Sequence, residues 1–112
     1  DEAYAQADLI VCRAGATTIA ELTVFGKPAI LVPYPYAADD HQRFNAEALR
    51  EQGAAEMILD RELDGNKLAE SVRRYYSDRG RLGAMEKAAL RLGRPEAAKR
   101  IVDECYALIG EA

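Results

Sequence analysis

The chain has 112 residues, 49% hydrophobic and 30% charged, with a formal net charge of −4, a size that suits one soluble core burying roughly two thirds of the unfolded surface. Its Lys and Arg residues are interleaved with acids, which speaks against nucleic acid as a partner. No apolar run approaches the roughly 20 residues needed to span a bilayer, and the acidic start Asp1-Glu2 is not the basic opening of a signal peptide, so the chain reads as cytosolic.

Leu9-Ile10-Val11-Cys12 is a short apolar run between Asp8 and Arg13, the pattern of a parallel strand buried on both faces. The small-residue turn Arg13-Ala14-Gly15-Ala16-Thr17-Thr18 follows, then a helix predicted from about Ala16 to Phe25 and stopped by Gly26, with Lys27 and Pro28 behind it. Ala29-Ile30-Leu31-Val32 reads as a second buried strand. It runs into Pro33-Tyr34-Pro35-Tyr36, where two prolines forbid helix and leave a stiff loop. Asp39 or Asp40 is placed to cap a helix running to about Glu51 and ending at Gly53. Ala55 to Leu59 gives a third, weaker strand.

After Asp64 the pattern is helical throughout. Leu68, Val72, Tyr75 and Tyr76 form one apolar stripe, Leu82, Met85, Ala89 and Leu92 a second, and Ile101, Val102, Cys105, Leu108 and Ile109 a third, punctuated by Gly80, Gly93 and Pro95. Strands separated by helices of about ten residues predict an α/β fold with a Rossmann-like parallel sheet, flanking helices and a helical tail. The chain opens in what reads as the middle of an αβ unit, so it is expected to be part of a larger domain. One sheet edge then lacks a neighbour and offers a route to self-association.

A strand feeding a small-residue turn and a helix start makes a phosphate site, because unpaired N–H groups and the positive end of the helix dipole converge there. Gly15, Ala16, Thr17 and Thr18 would face the phosphate, or would form a tight turn without ligand. Thr18-x-x-Glu21 fits a capping box, and Glu21 equally offers a carboxylate whose two oxygens suit a diol. Arg13 either neutralises phosphate charge or pairs with a neighbouring acid. Cys12 and Cys105 are read as reduced, buried thiols without metal-ligand spacing. No metal or cofactor is called for, and there is no Asp-x-Asp pair.

The order of three motifs, Arg13 to Thr18 with Glu21, Gly26-Lys27-Pro28 leading to Val32-Pro33-Tyr34-Pro35, and His41-Gln42-Arg43-Phe44-Asn45-Ala46, closely resembles the end of the MurG family of bacterial GT-B N-acetylglucosaminyltransferases. The likeness runs over nearly all of the chain, including Gly53-Ala54-Ala55 and the helical tail. It implies that residues 1–112 are the C-terminal portion of a domain binding UDP-N-acetylglucosamine (UDP-GlcNAc), with the acceptor domain, its general base and the start of the donor domain outside the chain. Transfer of GlcNAc to lipid I with inversion, to form lipid II for peptidoglycan, is the activity implied for the whole protein, peripheral on the cytoplasmic face of the membrane. The chain alone is expected to be inactive.

The same resemblance gives Glu21 the ribose hydroxyls and Gln42 the hydroxyls of the GlcNAc ring. His41 stands where many relatives carry another glutamine and is kept as a substrate-side residue without the role of catalytic base. Asn45 is expected to brace the loop. Other readings of the residues are another GT-B transferase or UDP-sugar epimerase, a non-catalytic donor-binding subunit needing a separate acceptor chain, and an α/β interaction domain without ligand.

Overall fold

A computed structural model describes residues 8–93 of the chain. Three parallel strands, β1 (Ile10–Cys12), β2 (Ala29–Leu31) and β3 (Ala55–Met57), lie in the order β1-β2-β3, with Val11 opposite Ile30 and Ile30 opposite Glu56. The connecting helices are α1 (Ala16–Phe25) and α2 (His41–Glu51), and α3 (Gly65–Ser77) and α4 (Arg79–Leu92) follow β3. This is the α/β arrangement that the alternation of apolar runs and helical stretches predicts.

The alternation of side chains along β2 divides the core into two. Ala29 and Leu31 face a cluster with Ile19 and Leu22 of α1 and Ala46 and Leu49 of α2, whereas Ile30 faces Ile58, Tyr75, Leu82 and Met85. All three β2 residues are buried, as a central parallel strand requires. β1 departs from its predicted burial on both faces. It has a single strand neighbour among the described residues, and Val11 is 43% exposed. A short apolar run reads alike whether one neighbour or two cover it.

α1 ends as its sequence punctuation predicts, with Gly26 left-handed at φ 64° and the Lys27 N–H bonded back to Leu22 O at 2.9 Å. The α3–α4 break falls at Asp78, two residues before Gly80. Asp78 closes α3 through its N–H to Arg74 O, and its side chain caps α4 by accepting from Arg81 N at 3.0 Å. Asp64 caps α3 in the same way through Lys67 N. On α3, Leu68, Val72 and Tyr75 pack inward, but Tyr76 is exposed with the Arg79 guanidinium 5.0 Å from its ring centre. Burial, and then the Glu56 carboxylate, raise the Tyr75 hydroxyl above its ordinary pKa. The third stripe, Cys105 and the stretch before β1 lie outside the described residues.

Both α1 and α2 begin at the carboxyl edge of the sheet, directly after β1 and in the long loop after β2. In open α/β sheets that edge is where ligands bind.

Candidate donor site

α1 begins without a cap. Its N-cap residue is Gly15, which has no side chain to offer, and the first helical bond runs from Ile19 N to Gly15 O at 3.0 Å. The N–H groups of Ala16, Thr17 and Thr18 therefore have no acceptor within the helix. Thr18 is the third residue of the helix and Glu21 the sixth, which removes the capping-box alternative for Glu21, since a capping box needs Thr18 at the N-cap. It also moves Glu21 from the first turn to the second. Glu21 is exposed, one turn beyond Thr18 on the same side of α1, and has no hydrogen-bond or ion-pair partner among the described residues.

Gly15 takes φ −68° and ψ 152°, a conformation open to any residue. What glycine provides here is room. A side-chain carbon built on it would stand 3.9 Å from Gln42 Nε2 and 4.0 Å from Thr18 Oγ1. Two uncommitted polar groups from different helices thus flank a bare stretch of backbone beside free N–H groups, and an anion can approach them closely.

Gln42 is held at this place by its oxygen. Oε1 accepts from Ala14 N at 3.2 Å and from Tyr34 N at 2.9 Å. Two N–H donors on one atom identify that atom as the carbonyl oxygen, and the Nε2 group remains as a donor facing Gly15. One turn on, Asn45 Nδ2 donates to Ala14 O at 3.1 Å, so Asn45 braces the turn as its position in the sequence suggests. The start of α2 is set by Asp39 and Asp40, both left-handed at φ 52° and 59°, a conformation that costs roughly 1–2 kcal/mol per residue outside glycine. Asp40 occupies the N-cap position, but its side chain takes Arg43 Nε at 2.7 Å. That hydrogen bond and the Asp40 charge, more than Glu47, hold Arg43 above its usual pKa. His41 is half-exposed with Nε2 3.9 Å from Asp39 Oδ2.

Of the two partners open to Arg13 from the sequence, the structure shows the acid. Nη1 meets Asp60 Oδ1 at 2.7 Å and the carbonyls of Val32 and Pro33 at 3.4 Å, with the guanidinium 5.5 Å from the Tyr34 ring centre. Asp60 also lines a hollow of about 370 Å³ with Pro33, Pro35, Asp40, Arg43, Leu59 and Arg61. Nothing local in the sequence signals the partnership, which joins positions far apart in the chain. The structure thus gathers Gly15, Thr18 and Gln42 and gives Arg13 other partners.

Cys12 is only partly buried, yet burial pushes its thiol up to about 11, which keeps it protonated at neutral pH. Among the described residues no cluster of three His, Cys, Asp or Glu side chains is placed to hold a metal ion, and no helix is long and apolar enough to cross a membrane.

The sequence and the fold match those of known proteins. Residues 1–101 match the Glycosyltransferase family 28 C-terminal domain. A Myxococcus xanthus protein named UDP-N-acetylglucosamine--N-acetylmuramyl-(pentapeptide) pyrophosphoryl-undecaprenol N-acetylglucosamine transferase is 59% identical over 107 residues, which are 96% of this chain and 28% of that protein. A Geobacter sulfurreducens protein of the same name is 55% identical over 95% of this chain and 29% of its own length. The crystal structure of Acinetobacter baumannii MurG superposes with a TM-score of 0.75 at 36% identity, over 91% of this chain and 30% of that one. The chain spans less than a third of the length of these relatives. With a family match over residues 1–101 and a strand-turn-helix edge built as described, the chain belongs to the glycosyltransferase family 28 C-terminal domain.

Proposed function

We propose that this chain is the donor-binding part of an inverting N-acetylglucosaminyltransferase that takes GlcNAc from UDP-GlcNAc and delivers it to lipid I. The observation that carries the reading is the uncapped start of α1 beside the open face of Gly15, with Thr18 Oγ1 and Gln42 Nε2 on either side. Free N–H groups and the helix dipole suit a diphosphate. Glu21, without a partner among the described residues and one turn further along, suits the ribose diol. The names of relatives at 55–59% identity specify this donor and this acceptor.

In this reading residues 1–112 form the later part of the donor domain, and lipid I and the general base belong to parts of the protein outside the chain. The acceptor hydroxyl attacks the anomeric carbon as the bond to the UDP oxygen breaks, with inversion. The start of α1 stabilises the negative charge that develops on the departing diphosphate. Gly15 to Thr18 grip the leaving group, Glu21 fixes the nucleoside, and Gln42 and His41 lie on the sugar side. The whole protein works at the cytoplasmic face of the membrane, where this chain contributes no spanning helix among its described residues.

Calorimetric titration with UDP tests the assignment. The chain binds UDP with one-to-one stoichiometry, and Glu21→Ala weakens binding by about tenfold, the loss of a charge-assisted hydrogen-bond pair. Absence of any UDP binding, or an Ala variant that binds as tightly as the parent, contradicts it.

A further inference from the structure

The hollow at the carboxyl edge of the sheet lies beyond the ends of β2 and β3. The chain leaves β2 through Pro33 to Pro35 and β3 through Leu59 to Arg61, and with Asp40 and Arg43 these segments enclose about 370 Å³, at the lower end of the roughly 300–1,000 Å³ of small-ligand sites. None of Gly15, Thr18, Glu21 and Gln42 lines it, so it is separate from the phosphate-facing turn. The two are neighbours all the same. Tyr34, between the two prolines of the wall, donates its N–H to Gln42 Oε1 at 2.9 Å, and Arg13 at the head of the turn pairs with Asp60 in the hollow.

The charges in the wall are unequally committed. Asp60 accepts from Arg13 at 2.7 Å, Asp40 from Arg43 at 2.7 Å, and Arg43 also reaches Glu47 at 3.2 Å. Both lining acids therefore already face a cation. Arg61 has no hydrogen-bond or ion-pair partner among the described residues, which leaves one guanidinium, a planar fork that matches a carboxylate. Pro33, Pro35 and Leu59 make the rest of the wall apolar, and the prolines stiffen its backbone. One carboxylate beside a small apolar group fits this lining. A diphosphate does not, since it would set two or more negative charges near Asp40 and Asp60 against a single uncommitted cation.

We propose that the hollow receives a carboxylate of the acceptor's peptide, with the carboxylate on Arg61 and a small apolar side chain against Pro33, Pro35 and Leu59. The proposal rests on the donor-binding reading and extends it to the second substrate. The acceptor in the names of the relatives carries a pentapeptide. Its reacting hydroxyl and its carrier are held outside this chain, and the peptide is the part that extends past the sugar side of the donor site to the ends of β2 and β3. Arg61 is thus a residue of acceptor recognition, with no part in gripping UDP.

Amide-resolved NMR titrations of the whole chain test this, with N-acetyl-alanyl-alanine as the all-L and all-D peptides, with their C-terminal amides, and with inorganic phosphate. The expected result is saturable shifts at Tyr34, Arg43 and Leu59 to Arg61 with one of the acids. Binding is about tenfold weaker for its amide and for Arg61→Ala, the scale of one charge-assisted hydrogen bond. Arg61→Lys keeps the charge without the fork and falls between, and both variants bind UDP as the parent does. No saturable shift with either acid, an amide that binds as tightly as its acid, or an Arg61→Ala chain that binds the acid like the parent overturns the proposal. So does phosphate binding at these residues as tightly as the acid, which would make the hollow a general anion site. If UDP still binds in those cases, the donor reading stands. Failure of the parent chain to bind UDP overturns the donor reading, and with it the acceptor role of the hollow.

Discussion

Arg13 Nη1 and Asp60 Oδ1 stand 2.7 Å apart across the carboxyl edge of the sheet, tying the end of β1 to the turn after β3. The side chains are 50% and 37% exposed, so water and salt weaken the pair. A double-mutant cycle with Arg13→Ala and Asp60→Ala is expected to return a coupling of about 0.5–1 kcal/mol in urea unfolding, shrinking as salt is added. Because Arg13 is engaged here, Arg13→Ala costs less than about 1 kcal/mol of UDP binding, well below the cost of Glu21→Ala. A loss equal to that of Glu21→Ala would show that Arg13 leaves Asp60 for the phosphates.

Gly15 tests whether the site needs room or flexibility. Its backbone conformation suits alanine, and the nearest atoms to an added carbon lie 3.9 and 4.0 Å away. In Gly15→Ala a small gain from a less flexible unfolded chain offsets the loss of a favoured N-cap residue, so stability stays within about 1 kcal/mol of the parent. UDP binding falls by about tenfold or more, because the methyl group occupies the approach to the free N–H groups. Thermal unfolding and calorimetry on the same sample check both halves.

Gly93 behaves in the opposite way. A carbon added there would overlap the backbone carbonyl of Thr23, so the end of α4 and the last turn of α1 must separate to admit it. Gly93→Ala is expected to lose about 2–3 kcal/mol in urea unfolding, the scale of an overpacked core. Gly83→Ala is the control, since nothing lies within 4 Å of the carbon it adds, and a helix interior gains up to about 1 kcal/mol from alanine.

Cys12 gives a pH-dependent prediction. Its folded pKa of about 11 exceeds the ordinary 9.0 because burial disfavours the thiolate. The protonated thiol is thus compatible with the fold, and this group leaves stability unaffected below pH 9.0. As pH rises from 9.0 toward about 11 the unfolded chain releases its proton first, and stability falls. Cys12→Ser removes that slope from the pH dependence of unfolding. Alkylation of Cys12 in the folded chain is correspondingly slow at neutral pH and accelerates only in strong alkali.

Much of this was legible in the sequence because its signals are local. Ala16 to Phe25 is bracketed by a small-residue turn and by Gly26-Lys27-Pro28, and α1 has those bounds. The strands stand out as apolar runs between turn residues. What local patterns do not carry is partnership across the fold. The exposure of Val11 on β1 depends on how many strands adjoin it, and the Arg13–Asp60 pair on how β3 delivers its following turn. The helix start at Gly15 turned on whether the Thr18 hydroxyl or a bare backbone begins the helix, and a Thr-x-x-Glu spacing fits both. Gln42 was legible as a polar group at a helix start, but the use of its oxygen for two backbone N–H groups depends on where α2 lands against the turn.

In the proposed function the start of α1, the open face of Gly15 and Gln42 form one donor site. An amide-resolved NMR titration of the chain with UDP-GlcNAc, UDP and UDP-glucose tests it most directly. Shifts centred on Gly15 to Glu21 are expected with all three ligands, together with a Gln42 side-chain amide that responds to the sugar nucleotides but not to UDP. A dispersed spectrum unchanged by any of the three, or shifts confined to the hollow between Pro33 and Arg61, would contradict it.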